Sequence, residues 1–227
     1  MQVFLKNRKQ RRKIMIENKD MENDGREMTV SRPKVFWDWF VLHNEQLTMV
    51  GDMEEKEAER LMGEMQERLS EYCEGLTFEM SEPTNNGRTL TFSADGDMDL
   101  FKYVTDLVSE APDVDWWEFV AFKQPQGKGL KVYFDRYEFD TKKMYFMELE
   151  NEESPDMIGL RVAVPKVEDD EDQQVGVYVT IEALIGEFDC TTLLGYLELC
   201  EMPKEPFKEG FKRMDDLPEF VEWFKNK

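Results

Sequence analysis

Asp95, Asp97 and Asp99 alternate along the chain and Asp106 follows, which places carboxylates at positions 1, 3, 5 and 12 of a calcium-binding loop. Such a loop needs glycine at its sixth position for the sharp turn, where this chain has Leu100, and the next residues continue a helical pattern. Helix capping and favourable charge at a helix N-terminus account for these aspartates without a metal. Zinc would require clustered thiolates and imidazoles, whereas the chain has one histidine, His43, and three scattered cysteines, Cys73, Cys190 and Cys200, with no Cys-x-x-Cys pair. There is no Gly-x-Ser-x-Gly elbow, phosphate-binding loop or dinucleotide fingerprint. With 50 Asp and Glu residues, carboxylate pairs arise by chance and none stands out. The expectation is no metal, no cofactor and no catalytic residues, leaning away from an enzyme.

One group could still line a small-molecule groove: Trp116, Trp117, Lys123 and Gln124, near the corner formed by Asp95 and Asp97. These six are the candidate ligand-binding residues. Alternation on a packed strand accounts for the two tryptophans equally well. His43 lies on an aromatic helical stripe, where a hydrogen-bonded residue at the core edge is expected before a general base or ligand. Cys73 falls near a helix C-terminus, whose negative end raises a thiol pKa and opposes nucleophilic use.

The elements that must position these residues are legible from hydrophobic periodicity. Leu76, Phe78 and Met80 alternate with polar residues, as do Leu90, Phe92 and Ala94, and Asn86-Gly87 lies between the two runs, so the pair reads as a hairpin. After Gly96 the period turns helical through Leu100, Val104 and Leu107, with Asp97 as cap and Pro112 as stop. Trp116 to Phe122 reads as a third strand, apolar enough to be an inner one. Two helices precede this unit. One runs from Lys34 to about Met49, with Pro33 in its first turn and Trp37 off the main stripe, free to meet a partner or the second half of the chain. The other runs from Met53 to Glu74, begun by an Asp52 and Glu55 capping box and ended by Gly75.

The second half repeats the order. Gln126 to Leu130 reads as a loop and Lys131 to Asp140 as irregular or a short strand. Met144 to Glu150 and Ile158 to Val164 read as strands, and Tyr196 to Met202 as a closing strand. The stretch from 174 to 189 alternates like a strand over Val175 to Ile181 and continues like a helix; its place in the repeat decides for helix. A final short helix holds Leu217, Phe220, Val221 and Phe224, capped by Asp215 or Asp216. The expected fold is α+β: two helices, two ββαβ units with mainly antiparallel sheets, and a short C-terminal helix. Residues 29–227 form one domain, with subunits of the fold at 29–127 and 128–227.

Residues 1–28 hold eight Lys or Arg against five Asp or Glu, which leaves a net charge of −24 on the other 199 residues. The short basic extension is expected to be disordered or loosely helical. The acidic body repels nucleic acid and anionic membrane and attracts basic partners. No apolar run is long enough to span a bilayer, and the basic N-terminus lacks the apolar core of a signal peptide, so a cytoplasmic protein with reduced thiols is expected.

Phe36-Trp-Asp-Trp-Phe40, Ser93-Ala-Asp-Gly96, Ala111-Pro112, Trp117, Ala121-Phe-Lys-Gln-Pro125 and Leu184-Ile-Gly-Glu-Phe188 together resemble a family of uncharacterised bacterial cytoplasmic proteins, over about residues 34–203. The resemblance implies no activity and no site residue. Two functional expectations remain: an acidic protein-binding or regulatory protein engaging a basic partner, and a small-molecule enzyme or sensor with a pocket between the two ββαβ units.

Overall fold

Proline at the first position of a helix loses no intrahelical bond, and helix α1, Pro33–Thr48, begins in that way. The computed structural model describes residues 32–150, 154–168 and 170–227. The basic extension at 1–28 lies outside the described residues. Compactness divides the chain between Phe122 and Lys123, and each part has its own hydrophobic core.

In the first unit α1 buries Phe36, Trp37, Phe40 and Leu47. The expectation that Trp37 lies off the main stripe, free to meet a partner or the second half of the chain, is corrected: it is 3% exposed, and its indole N–H donates to the Leu107 carbonyl of the same unit at 2.9 Å. Phe119 lies 4.6 Å away, ring to ring, so the core reaches further around α1 than one stripe. Helix α2, Glu55–Tyr72, buries Leu61, Met65, Leu69 and Tyr72. Its N-cap position is Glu54, with no side-chain cap, because Asp52 is consumed in a 3-10 turn over Val50–Asp52. The capping-box expectation is therefore corrected.

Strands β1, Thr77–Met80, and β2, Arg88–Ser93, pair antiparallel. Their connection closes on Gly87, at φ +109°, where a Cβ would lie 2.3 Å from the Trp116 carbonyl oxygen. That position requires glycine. Asp97 accepts from the Asp99 N–H, as expected of a cap, and a 3-10 turn then leads into α3, Phe101–Ser109. The chain returns as β3, Trp117–Ala121, parallel to β2. The sheet order is β1-β2-β3, so β3 is an edge strand and β2 the inner one, which corrects the expectation of an inner third strand. The apolar residues of β3 reflect cover from α1 on its face.

The second unit opens with a hairpin where the sequence reads as irregular or a short strand: β4, Lys131–Phe134, and β5, Tyr137–Asp140, pair antiparallel. Strands β6, Tyr145–Leu149, and β7, Ile158–Val164, are antiparallel, and helices α4, Glu171–Ile185, and α5, Glu187–Leu193, carry the chain to β8, Leu194–Glu201, parallel to β7. The antiparallel pair followed by a parallel return is the connectivity of the first unit, so the repeat is present. A short β9, Lys212–Arg213, adds to β6, giving the order β8-β7-β6-β9. The fold is α+β and ends in helix α6, Leu217–Lys225. Asp216 holds its N-cap position without a side-chain bond. Asp215, the other expected cap, instead accepts from the Gly129 N–H at 2.9 Å and the Thr141 hydroxyl at 2.5 Å. No helix among the described residues is long and apolar enough to cross a membrane.

Candidate functional site

The parallel register of β2 and β3 aligns Arg88 with Trp117 and Phe92 with Ala121. Trp116 and Trp117 therefore sit where both strands begin, and Asp95 and Asp97 lie beyond the far end of β2, past five strand steps or about 17 Å. The strands hold the two pairs apart. Trp116, 61% exposed at φ +70°, gives its carbonyl to the Arg88 N–H at 2.8 Å. Trp117 packs edge-on against Phe40, and its indole N–H donates to the Thr48 hydroxyl at 3.1 Å. Asp95 accepts from the Thr77 hydroxyl at 3.1 Å. Burial raises the carboxyl pKa of Asp97, partly offset by the Asp99 N–H. His43 stacks on Trp39 at 4.4 Å, with Nδ1 2.7 Å from the Trp39 carbonyl.

Lys123 and Gln124 belong to a strap along the break between α4 and α5. The Lys123 N–H donates to Glu187 Oε2 at 3.1 Å, the Glu187 N–H returns to the Lys123 carbonyl at 2.8 Å, and Gln126 N–H reaches the Ala183 carbonyl at 2.8 Å. Lys123 Nζ lies 3.8 Å from Glu182 Oε2, both side chains almost entirely buried. Gly186 makes the break at φ +84°, and a Cβ there would come within 3.1 Å of the Lys123 carbonyl oxygen. Lys123 and Pro125 thus meet the Leu184–Phe188 run at Gly186 and Glu187, and the buried ion pair joins Lys123 to Glu182, just ahead of that run. Nearby, burial pushes the Tyr178 phenol and the Cys190 thiol upward. Cys73 is raised to about 11, by burial first and then by Asp97 and Glu74; the direction matches the helix-end expectation and the main cause differs. These thiols stay protonated near neutrality, which removes them as nucleophiles.

A cleft of about 260 Å³ opens beside β5, floored by Phe139, Met144, Val164 and Gln173 and rimmed by Tyr137, Lys143, Lys166 and Glu168. The Tyr137 hydroxyl lies 2.9 Å from Glu168 Oε2 and 2.8 Å from Asp170 Oδ2, and Arg136 donates to the same two carboxylates. Gln173, buried, locks the turn by accepting from the Glu168 N–H and donating to the Lys166 carbonyl, each at 2.8 Å. Lys166, then Tyr137 and Arg136, hold the Glu168 carboxyl at about 2. Desolvation and the two carboxylates push Tyr137 to about 12. Desolvation raises Asp140, but the Lys142 N–H and the Lys143 ammonium outweigh it and leave its pKa lowered. Proton transfer near neutrality needs a group that titrates there, and Glu168 and Tyr137 titrate far from it. Tyr137 and Glu168 are 31 residues apart, so local sequence pattern does not bring them together.

The first unit has a different polar character. Residues 32–122 hold 21 Asp or Glu against seven Lys or Arg. Lys34, Arg60, Arg68 and Lys102 each pair with a carboxylate three or four residues on. Arg88 is buried and donates to the Thr48 and Ser81 carbonyls at 3.1 Å. Among the described residues no group of three or more His, Cys, Asp or Glu could hold a metal ion. Comparison with family models, curated proteins and solved structures finds no match to this chain.

Proposed function

We propose that the protein is a binding or regulatory protein that engages a basic protein partner through the first unit. The observation that carries this reading is the charge of residues 32–122, where acidic side chains outnumber basic ones three to one and most of the basic ones are already engaged within the unit. Exposed ion pairs are weak and leave the surrounding field negative. Such a surface speeds encounter with a basic protein and repels acidic ones. The three free thiols fit a reducing, cytoplasmic setting.

Capture by the full chain from a lysate of its source cells tests this. Proteins of high isoelectric point are expected at low salt and are lost near 1 M salt, where screening shortens electrostatic reach to about 3 Å. Neutralising α2 by Glu57→Gln, Glu64→Gln, Glu67→Gln and Glu71→Gln should remove the same proteins. Retention that is indifferent to salt and to these changes overturns the reading.

The second reading, a small-molecule sensor or enzyme, draws its support from the cleft at Tyr137 and Gln173, whose polar rim and apolar floor are a binding arrangement. Its test is a ligand-dependent rise in melting temperature that a charge reversal at the exposed rim, Lys143→Glu, abolishes.

A further inference from the structure

Helix α1 turns a row of large apolar side chains to solvent. Val35 is 52% exposed, Leu42 81% and Met49, at the helix end, 54%. They are seven residues apart, a spacing that drifts by only about 20° per step around a helix, so the three stay in line. At about 100° per residue this row stands opposite the buried row of Phe36, Phe40 and Leu47. Val41, 43% exposed, lies about 100° further round the helix from Leu42. Asp38 and Glu45, also seven residues apart, run beside it on the same exposed face. Among the described residues Asp38 pairs with Lys34 at 2.5 Å, with both side chains more than half exposed, a pairing that an incoming cation can replace.

We infer that this face of α1 is the docking surface for a basic amphipathic helix, one with apolar residues at seven-residue spacing flanked by Lys or Arg. The inference rests on the basic-partner reading and gives it a surface and a partner geometry. An aligned apolar row is what a helix needs to seat its own stripe. The row of carboxylates beside it selects the charge of the flanks. A second copy of the same face would bring Asp38 and Glu45 against their own kind, so charge disfavours self-association there.

The test is a titration of the full chain with two peptides of about 18 residues, five helical turns, made of the same Leu, Lys and Ala: one with Leu aligned on a stripe, one shuffled. The aligned peptide is expected to bind at least about tenfold more tightly than the shuffled one. Leu42→Asp should bring the aligned peptide down to the shuffled level while salt-dependent binding of the shuffled peptide persists. Because Leu42 is exposed, the circular dichroism and melting of this variant should match the parent. Equal binding of the two peptides, or a gap that survives Leu42→Asp, overturns the docking face and leaves the basic-partner reading standing. No binding of either peptide at low salt overturns both. A Leu42-dependent dimer in sedimentation assigns the face to a second copy and overturns the inference. So does a gain of about tenfold for the aligned peptide when Lys6, Arg8, Lys9, Arg11, Arg12 and Lys13 are all changed to Gln, since the chain's own basic segment would then be the occupant.

Discussion

The two ββαβ units share one connectivity and fill their cores by different means. In the first unit the helices before the sheet supply the core: Phe36, Trp37 and Phe40 of α1 pack edge-on against Phe92 and Phe119 of the strands. Its crossover helix, α3, has nine residues and a single apolar side. In the second unit the crossover itself is the centre. Helix α4 has 15 residues, buried over most of its circumference, with the β4–β5 hairpin against it at Gly176. A repeated topology therefore constrains the path of the chain and leaves open which element carries the apolar cover.

The largest effect expected is at the aromatic packing of the first unit. Phe92→Ala removes a fully buried ring that touches Phe36 and Trp37, at a cost of about 3–5 kcal/mol by denaturant unfolding. Amide exchange should accelerate over residues 32–122. An equal acceleration over 123–227 would show that the two units open as one, and the comparison would lose its meaning.

Next comes the close approach of a helix glycine to a buried ring in the second unit. At Gly176 a Cβ would lie 2.2 Å from Phe139 Cε2 and 2.6 Å from Cζ, and that ring is 4% exposed. Gly176→Ala gains helix propensity but must displace a buried ring, so a net loss of about 1–3 kcal/mol is expected. Gly63→Ala in α2, which meets nothing within 4 Å, should instead stabilise by about 0.5–1 kcal/mol. Similar results at the two positions would mean that the hairpin does not press on α4.

How far the fold was legible follows the same contrast. The first unit reads clearly because its elements are half exposed: β2 alternates, and α3 is apolar on one side. In α4 the burial extends from Gly176 to Ile185 nearly all round, so no helical period survives, and only its place in the repeat identifies it. Lys131–Asp140 forms two strands of four residues each, too short to establish alternation. The burial of Trp37 is not legible from one stripe, because the buried face of α1 also takes in the side of the helix that carries it. Of the candidate site residues, Lys123 does enter a polar cluster, but its partner Glu182 is 59 positions away, a distance over which local pattern carries no signal. Asp97 was legible as a cap because capping is local.

Acid should separate the units with opposite signs. Glu168 in the second unit sits at about 2, below the ordinary 4.5, so its contribution to stability is present above that ordinary value and is lost as pH falls towards 2. Asp170, Glu198 and Glu219 are lowered as well, chiefly by Tyr137, Arg161 and Lys128 respectively. Asp97 in the first unit is raised by burial. Its charge costs stability at neutral pH, and protonation relieves that cost. Exchange followed from pH 5 to 3 should show residues 123–227 loosening before 32–122, and the reverse order would refute the comparison.

The smallest effect isolates one hydroxyl. Tyr137→Phe keeps the ring over Phe139 and removes the O–H that lies between Glu168 and Asp170. Lys166, the largest cause of the Glu168 shift, and Arg136 remain. The Glu168 carboxyl should therefore rise from about 2 only part of the way towards 4.5, and its acid loss should begin at higher pH, as read by carboxyl resonances. For Asp170 the hydroxyl is the leading cause, so its carboxyl should recover the greater part of its shift. If Glu168 moved fully and Asp170 not at all, the hydroxyl would belong to Glu168 alone, and the two carboxylates would not act as one acceptor pair at the mouth of the cleft.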